Sequence, residues 1–125
     1  MVLLSHHYIM MSSEVLVNEN EEDLYNTLYG KRIKDWYIKK DVAVFTFMNT
    51  NIQLEIRPLC RCGKAHLLWY PDGEYGILDS ITDITFDSND NNNRITIIEN
   101  AHKRTIEACC TNCNKDTRLL CTLHN

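Results

Sequence analysis

The chain has 125 residues, a formal net charge of -4 at pH 7 and a hydrophobic content of 44%. That size and apolar content suit one domain, residues 1–125, with one core. The acidic balance excludes a protein that coats nucleic acid through unspecific phosphate contacts, because such binding rests on clustered Lys and Arg releasing counterions.

The opening "MVLLSHHYIMMSSEV" has no basic residue ahead of its apolar start, and His6 and His7 interrupt it. It reads as no signal peptide, and an intracellular location, cytoplasm or nucleus, is expected. Residues 1–13 read as a flexible extension, with Met11 as a second candidate start. No apolar stretch approaches the roughly 20 residues of a membrane-spanning helix, so no membrane partner is expected.

"NENEEDLYNTLYGK" is the first ordered element. An Asn cap precedes three acidic residues, where the helix dipole favours them; Leu24 and Leu28 lie four apart, and Gly30 supplies a stop. Leu24, Tyr25, Leu28 and Tyr29 form its apolar stripe.

From residue 31 the period changes to two. "RIKDWYIKK", "VAVFTFM", "IQLEIRPL", "HLLWY", "ITDITF", "RITIIE", "RTIEAC" and "TRLLCTL" read as up to eight short strands. In the second of these Ala43, Phe45 and Phe47 face one way and Val42, Val44, Thr46 and Met48 the other, which suits a strand covered on both sides. In the third, Ile52, Leu54 and Ile56 point inward while Gln53, Glu55 and Arg57 point to solvent. "SNDNNN", residues 88–93, reads as a mobile surface loop.

Six cysteines in a reducing compartment point to metal ligands or buried thiols rather than disulfides. Five of them fall in two clusters, "PLCRCGKAH" at 58–66 and "ACCTNCNKD" at 108–116, each between two strand-like runs. Each reads as a β-hairpin whose tip aims two thiolates at one ion while backbone N–H groups of the turn stabilise the sulfur charge. Gly63 after Cys62, and Asn114 after Cys113, are the residue types that tolerate positive φ. The ligand set is therefore Cys60, Cys62, Cys110 and Cys113, the closed tetrahedral set of a structural Zn2+ site.

Reserve ligands are His66, Cys109, Cys121 and His124. His66 could replace Cys60, and Cys109 could replace Cys110, although adjacent residues on a strand face opposite ways. Cys110, Cys113, Cys121 and His124 would make a compact C-terminal set. An extended "DTRLLCTL" nevertheless carries Cys121 about 25 Å from Cys113, so a core thiol is the simpler fate.

The two cysteine clusters resemble the zinc-ribbon family of folds over residues 52–70 and 105–122. Cys60-x-Cys62 departs from the usual C-x-x-C spacing, and the 47 residues between the clusters are long for a simple ribbon. The resemblance implies architecture. The expected fold is mainly β (α+β): an antiparallel sheet of short strands, one short N-terminal helix and a zinc-ribbon-like pair of cysteine hairpins.

No hydrolytic, deaminase or phosphate-loop motif occurs, and four thiolates leave no open metal position, so no enzyme is expected. Cys110-x2-Cys113 has the thioredoxin spacing, but that motif opens a helix after a strand, and the surroundings here read as strand. Two functions fit. One is a zinc-stabilised interaction module, a small subunit or adaptor of a larger assembly, with Trp36, Tyr37, Trp69, Tyr70 and Tyr75 as aromatic anchors for a protein partner. The other is a nucleic-acid-binding or transcription accessory factor using Lys31, Arg32, Lys34, Lys39 and Lys40, with Arg32, Lys34, Trp36 and Ile38 on one strand face. The Ile- and Asn-rich composition points to an AT-rich genome, such as that of a large DNA virus.

Overall fold

Period-two alternation produces most of the architecture over the residues that the computed structural model describes, which are 12–16, 21–39, 41–72, 80–87, 93–100, 102–113 and 117–124. In chain order these form β1 (Ser12–Leu16), α1 (Glu21–Leu28), β2 (Ile33–Lys39), β3 (Val42–Phe47), β4 (Gln53–Leu59), β5 (His66–Asp72), β6 (Asp83–Phe86), β7 (Arg94–Glu99), β8 (His102–Cys109) and β9 (Arg118–His124). All eight strands expected from residue 31 onward are present, and β1 is additional. Ser12 and Ser13 pair with His124 and Leu123 of β9, so that part of the expected extension is strand; residues 1–11 lie outside the described residues.

The strands make two antiparallel sheets, one in the order β1-β9-β4-β3-β2 and the other β5-β8-β7-β6. The mainly β fold with one short helix is thus the observed one. In β3 Ala43, Phe45 and Phe47 are buried on one face, and Val44 is buried on the other. In β4 Leu54 and Ile56 are fully buried while Arg57 is exposed. One hydrophobic cluster joins the layers, taking Phe45, Leu54, Ile56 and Leu119 from the first sheet and Ile95, Ile97 and Ile106 from the second.

Helix α1 closes this cluster with Leu24 and Leu28, whereas Tyr29 is left exposed. Glu21, Glu22 and Asp23 occupy the first turn; the expected Asn cap lies outside the described residues. Gly30, at φ 80°, ends the helix in a conformation that costs glycine little. Its N–H donates to the Ile81 carbonyl at 2.8 Å, and Ile81 N–H returns to the Lys31 carbonyl at 2.8 Å.

The residues that flank β2 touch both edges of the second sheet. Arg32 bridges Ser80 just ahead of β6, and beyond its other end Asp41 Oδ1 accepts from Leu67 N–H of β5 at 3.4 Å. The strand therefore runs across that sheet. A register shift between Ile33 and Asp35 turns Trp36 onto the core side with Ile33. Trp36 stacks on Trp69 at 4.4 Å between ring centroids and lies 6.3 Å from Phe45. The expectation that Lys34 and Trp36 share a face is corrected by this bulge, because one extra residue reverses the alternation.

Two charged strand residues, Glu99 of β7 and Arg104 of β8, are buried. Arg104 Nε donates to Glu99 Oε1 at 2.5 Å, with the two side chains 6% and 1% exposed. The guanidinium also lies 5.6 Å from the Trp36 ring centroid, a cation–π placement.

Candidate metal centre

The two cysteine segments lie side by side at the seam between the sheets, in a zinc-ribbon-like arrangement. Their surroundings differ from two independent hairpins. β4 belongs to the first sheet and β5 to the second, and the chain crosses back from β8 to β9. β4 pairs with β9 as far as Leu59↔Arg118, and β5 pairs with β8 from His66↔Cys109. One two-stranded ribbon therefore runs through both sheets, and its register pairs stop between Leu59↔Arg118 and His66↔Cys109. The interruption carries the thiols.

Sγ atoms of Cys60, Cys62, Cys110 and Cys113 all lie within 4.8 Å of one another. Cys62 Sγ is 3.4 Å from Cys60 Sγ and 3.4 Å from Cys110 Sγ, so contact extends within one segment and across both. A tetrahedral ion with metal–sulfur bonds of about 2.3 Å would set its sulfurs about 3.8 Å apart. The observed cluster has that scale. All six cysteines are free thiols.

Local backbone geometry explains the first pair. Leu59 ends β4, and Gly63 at φ 72° turns the chain so that its N–H donates to the Cys60 carbonyl at 3.3 Å. The next N–H, that of Lys64, reaches the sulfurs of both Cys60 and Cys62. Burial acts to raise the Cys60 thiol, but hydrogen bonds from Cys62, Cys113, Lys64 N–H and Cys110 bring it down to about 6. For Cys62, Lys64 N–H acts to lower it, while hydrogen bonding to Cys110, Cys113 and Cys60 holds its proton and pushes it up to about 12. The cluster thus favours a thiolate at Cys60 beside a proton-holding Cys62, and a divalent cation would take the place of that proton.

On the other side, β8 alternation puts Arg104, Ile106, Ala108 and Cys110 on the buried face. Asn93 fixes the end of that strand. Its carbonyl accepts from Ala108 N–H at 2.8 Å, and its side-chain amide donates to the Ala108 carbonyl at 3.1 Å. Asn93 is buried, in contrast to the mobile loop expected for 88–93; residues 88–92 lie outside the described residues. Both bonds are made to Ala108, two residues before Cys110, so Asn93 acts as a positioning residue for that ligand's strand. The only sequence signal was its position as the last Asn of the run, next to the first β-branched alternation. Asn114, matched to Gly63 in the sequence, also lies outside the described residues.

The reserve ligands fall elsewhere. His66 and Cys109 face each other as a register pair at the start of the β5–β8 ladder, outside the four-sulfur cluster. Cys121 is completely buried in the core, paired with Ile56, and burial pushes its thiol up to about 12. His124 sits at the far end of β9, six strand steps or about 20 Å from the seam, with Nε2 3.3 Å from Glu55 Oε2. Burial acts to raise the Glu55 carboxyl, yet hydrogen bonds from His124 and Arg57 leave it lowered.

Of the basic residues, Lys31 and Arg32 line a polar cavity of about 420 Å³ with Gly30, Met48, Asn49 and Ser80. Lys34 and Lys39 are exposed on β2, and Lys40 lies outside the described residues. Among the aromatic residues Tyr37 and Tyr70 are exposed, Trp36 and Trp69 are stacked and half-buried, and Tyr75 lies outside the described residues. Among the described residues no helix is long and apolar enough to cross a membrane. No family model matches the chain, and neither a curated protein nor a solved structure matches it.

Proposed function

We propose that Cys60, Cys62, Cys110 and Cys113 hold one structural zinc ion, and that the chain works as a non-enzymatic, zinc-stabilised interaction module, a small accessory subunit or adaptor of a larger assembly. The observation that carries the reading is the four-sulfur cluster at the seam between the sheets. Four thiolates complete a tetrahedral shell and leave no position for a water nucleophile, which fits a structural role and not a hydrolytic one. Soft thiolates in this number suit zinc, or iron as the alternative metal.

The adaptor role draws support from large apolar side chains left in solvent on one strand, Tyr37 and Ile38, with Tyr70 on a second. Nucleic-acid binding through Lys31, Arg32, Lys34 and Lys39 draws less, since exposed Asp35 stands among these cations and Trp36 is turned onto Phe45 and Trp69.

Elemental analysis of the purified, reduced protein tests the metal. One zinc per chain is expected, lost in Cys62→Ser and kept in Cys121→Ser. Protein free of metal after folding with zinc, or undiminished binding in Cys62→Ser, would overturn the reading. Iron in place of zinc would correct the ion alone.

A further inference from the structure

The four sulfurs of the cluster differ in their access to solvent. Cys62 is exposed, Cys60 and Cys113 are half-buried, and Cys110 is buried at 5% exposure. The exposed thiol is also the one in contact with two others, its Sγ lying 3.4 Å from Cys60 Sγ and 3.4 Å from Cys110 Sγ. A thiolate that faces solvent with a second thiol beside it is the arrangement in which oxidation ends in a disulfide, because the first product, a sulfenic acid, condenses with its neighbour. Ligation supplies the thiolate, since a sulfur bound to a divalent cation has given up its proton.

We propose, resting on the zinc site described above, that the cluster is a redox switch: hydrogen peroxide joins Cys62 to Cys110 as a disulfide and releases the ion, while the two cysteine segments stay tied. Two partners compete for Cys62. A bond to Cys60 would close a ring around the single intervening residue Arg61. Two planar peptide groups in that ring leave little freedom for the near-perpendicular dihedral that a disulfide prefers. Cys110 comes from the other segment, 48 positions along the chain, and carries no such restraint. The two sulfurs need to approach by about 1.4 Å to reach bonding distance. Cys109 lies outside the cluster and Cys121 is fully buried in the core, so neither competes.

The Cys62 thiolate attacks one peroxide oxygen, the O–O bond breaks, and the departing hydroxide takes up a proton to leave as water. The Cys110 sulfur then attacks the sulfenic sulfur of Cys62, the S–O bond breaks, and a second water leaves. Two thiolates, one peroxide and two protons thus give one disulfide and two waters. Cys60 and Cys113 alone do not complete a tetrahedral shell, and they take up protons as the ion departs.

A Cys62–Cys110 disulfide closes the same stretch of chain that the ion closes. Losing the ion to oxidation should therefore differ from losing it to a chelator, because only the second frees the unfolded chain of its tie.

One equivalent of hydrogen peroxide added to the zinc-loaded full chain, with released zinc followed by a chromogenic chelator, tests this. About one zinc per chain should be released, with a mass loss of two hydrogens and a Cys62–Cys110 bridge found by sequencing the linked peptides in a mass spectrometer. Dithiothreitol should restore zinc binding. The oxidised, zinc-free chain should melt within about 5 °C of the zinc-loaded one, whereas the chelated, reduced chain should melt about 15 °C lower. Cys109→Ser should match wild type in each respect, which separates Cys110 from its neighbour in the linked peptide. A reduced chain that holds no zinc overturns the zinc reading and the switch together. Zinc retained through the peroxide treatment, or released without a Cys62–Cys110 bridge, overturns the switch alone. So does a bridged chain that melts like the chelated one.

Discussion

Removing the proposed ion should cut the tie between the two cysteine segments while leaving both β ladders in place. The magnitude follows from the separation of the tied residues: Cys62 and Cys110 are 48 positions apart in the chain. A cross-link closing a loop of that length removes chain entropy from the unfolded state worth about 4 kcal/mol at 25 °C. For a domain of this size about 1 kcal/mol moves the melting midpoint by about 4 °C, so chelation should lower it by about 15 °C. The assay is a thermal melt followed by circular dichroism under reducing conditions, on metal-loaded and chelator-treated protein, with metal content measured in both. Cys62→Ser should melt like the chelated protein and be insensitive to chelator. Midpoints within about 3 °C of each other, with the metal shown to be gone, would refute the reasoning.

Thiol chemistry offers a second check. In metal-free protein at neutral pH Cys60, brought down to about 6, should be alkylated first, and mass spectrometry after brief iodoacetamide treatment should locate it. Cys121, pushed up to about 12 by burial, should stay unlabelled until the chain unfolds; its contribution to stability is full below the ordinary thiol range and is lost as pH rises through about 12. Glu99→Gln strips the buried Arg104 of its charge partner and should cost about 3 kcal/mol in urea denaturation, whereas the paired change Glu99→Leu with Arg104→Met should cost much less. Asn93→Ala leaves the Ala108 carbonyl without its side-chain donor and should cost about 1 to 2 kcal/mol, with weaker zinc retention in a chelator competition. Gly63→Ala meets no atom within 4 Å but forces an L residue to φ 72°, so a loss of about 1 kcal/mol in the same denaturation assay is expected from backbone conformation alone.

Strand identity was legible because period two is a local property: Leu54 and Ile56 alternate with Glu55 and Arg57 whatever they pair with. Pairing is not local. "SSEVL" carries little β preference, and it is a strand because β9 offers it an edge. The bulge in β2 was hidden for the same reason, since the inward positions of Ile33 and Trp36 are set by β3 and by Trp69 across the layer. Burial of Glu99 and Arg104 was hidden because each alone looks like a solvent-facing strand residue, and only the β7–β8 turn brings them together. The cysteine spacings showed which thiols could meet at one turn. They could not show that the chain changes sheet at each turn.

That change of sheet bears on why the fold would use a metal. The apolar cluster already unites both sheets with the helix, so an ion is not needed to supply a missing core. What the core does not span is the seam, where the register pairs of the ribbon stop between Leu59↔Arg118 and His66↔Cys109. Hydrophobic packing is non-directional and tolerates small rotations of one layer over another, whereas four thiolates on one ion admit a single tetrahedral geometry. An ion at this point would therefore set the angle at which β4 leads into β5 and β8 into β9. Chelated protein should accordingly keep its far-ultraviolet dichroism while the amides of residues 60–65 and 110–113 exchange faster with solvent. Protection lost evenly along β7 and β8 would instead place the ion at the foundation of the core.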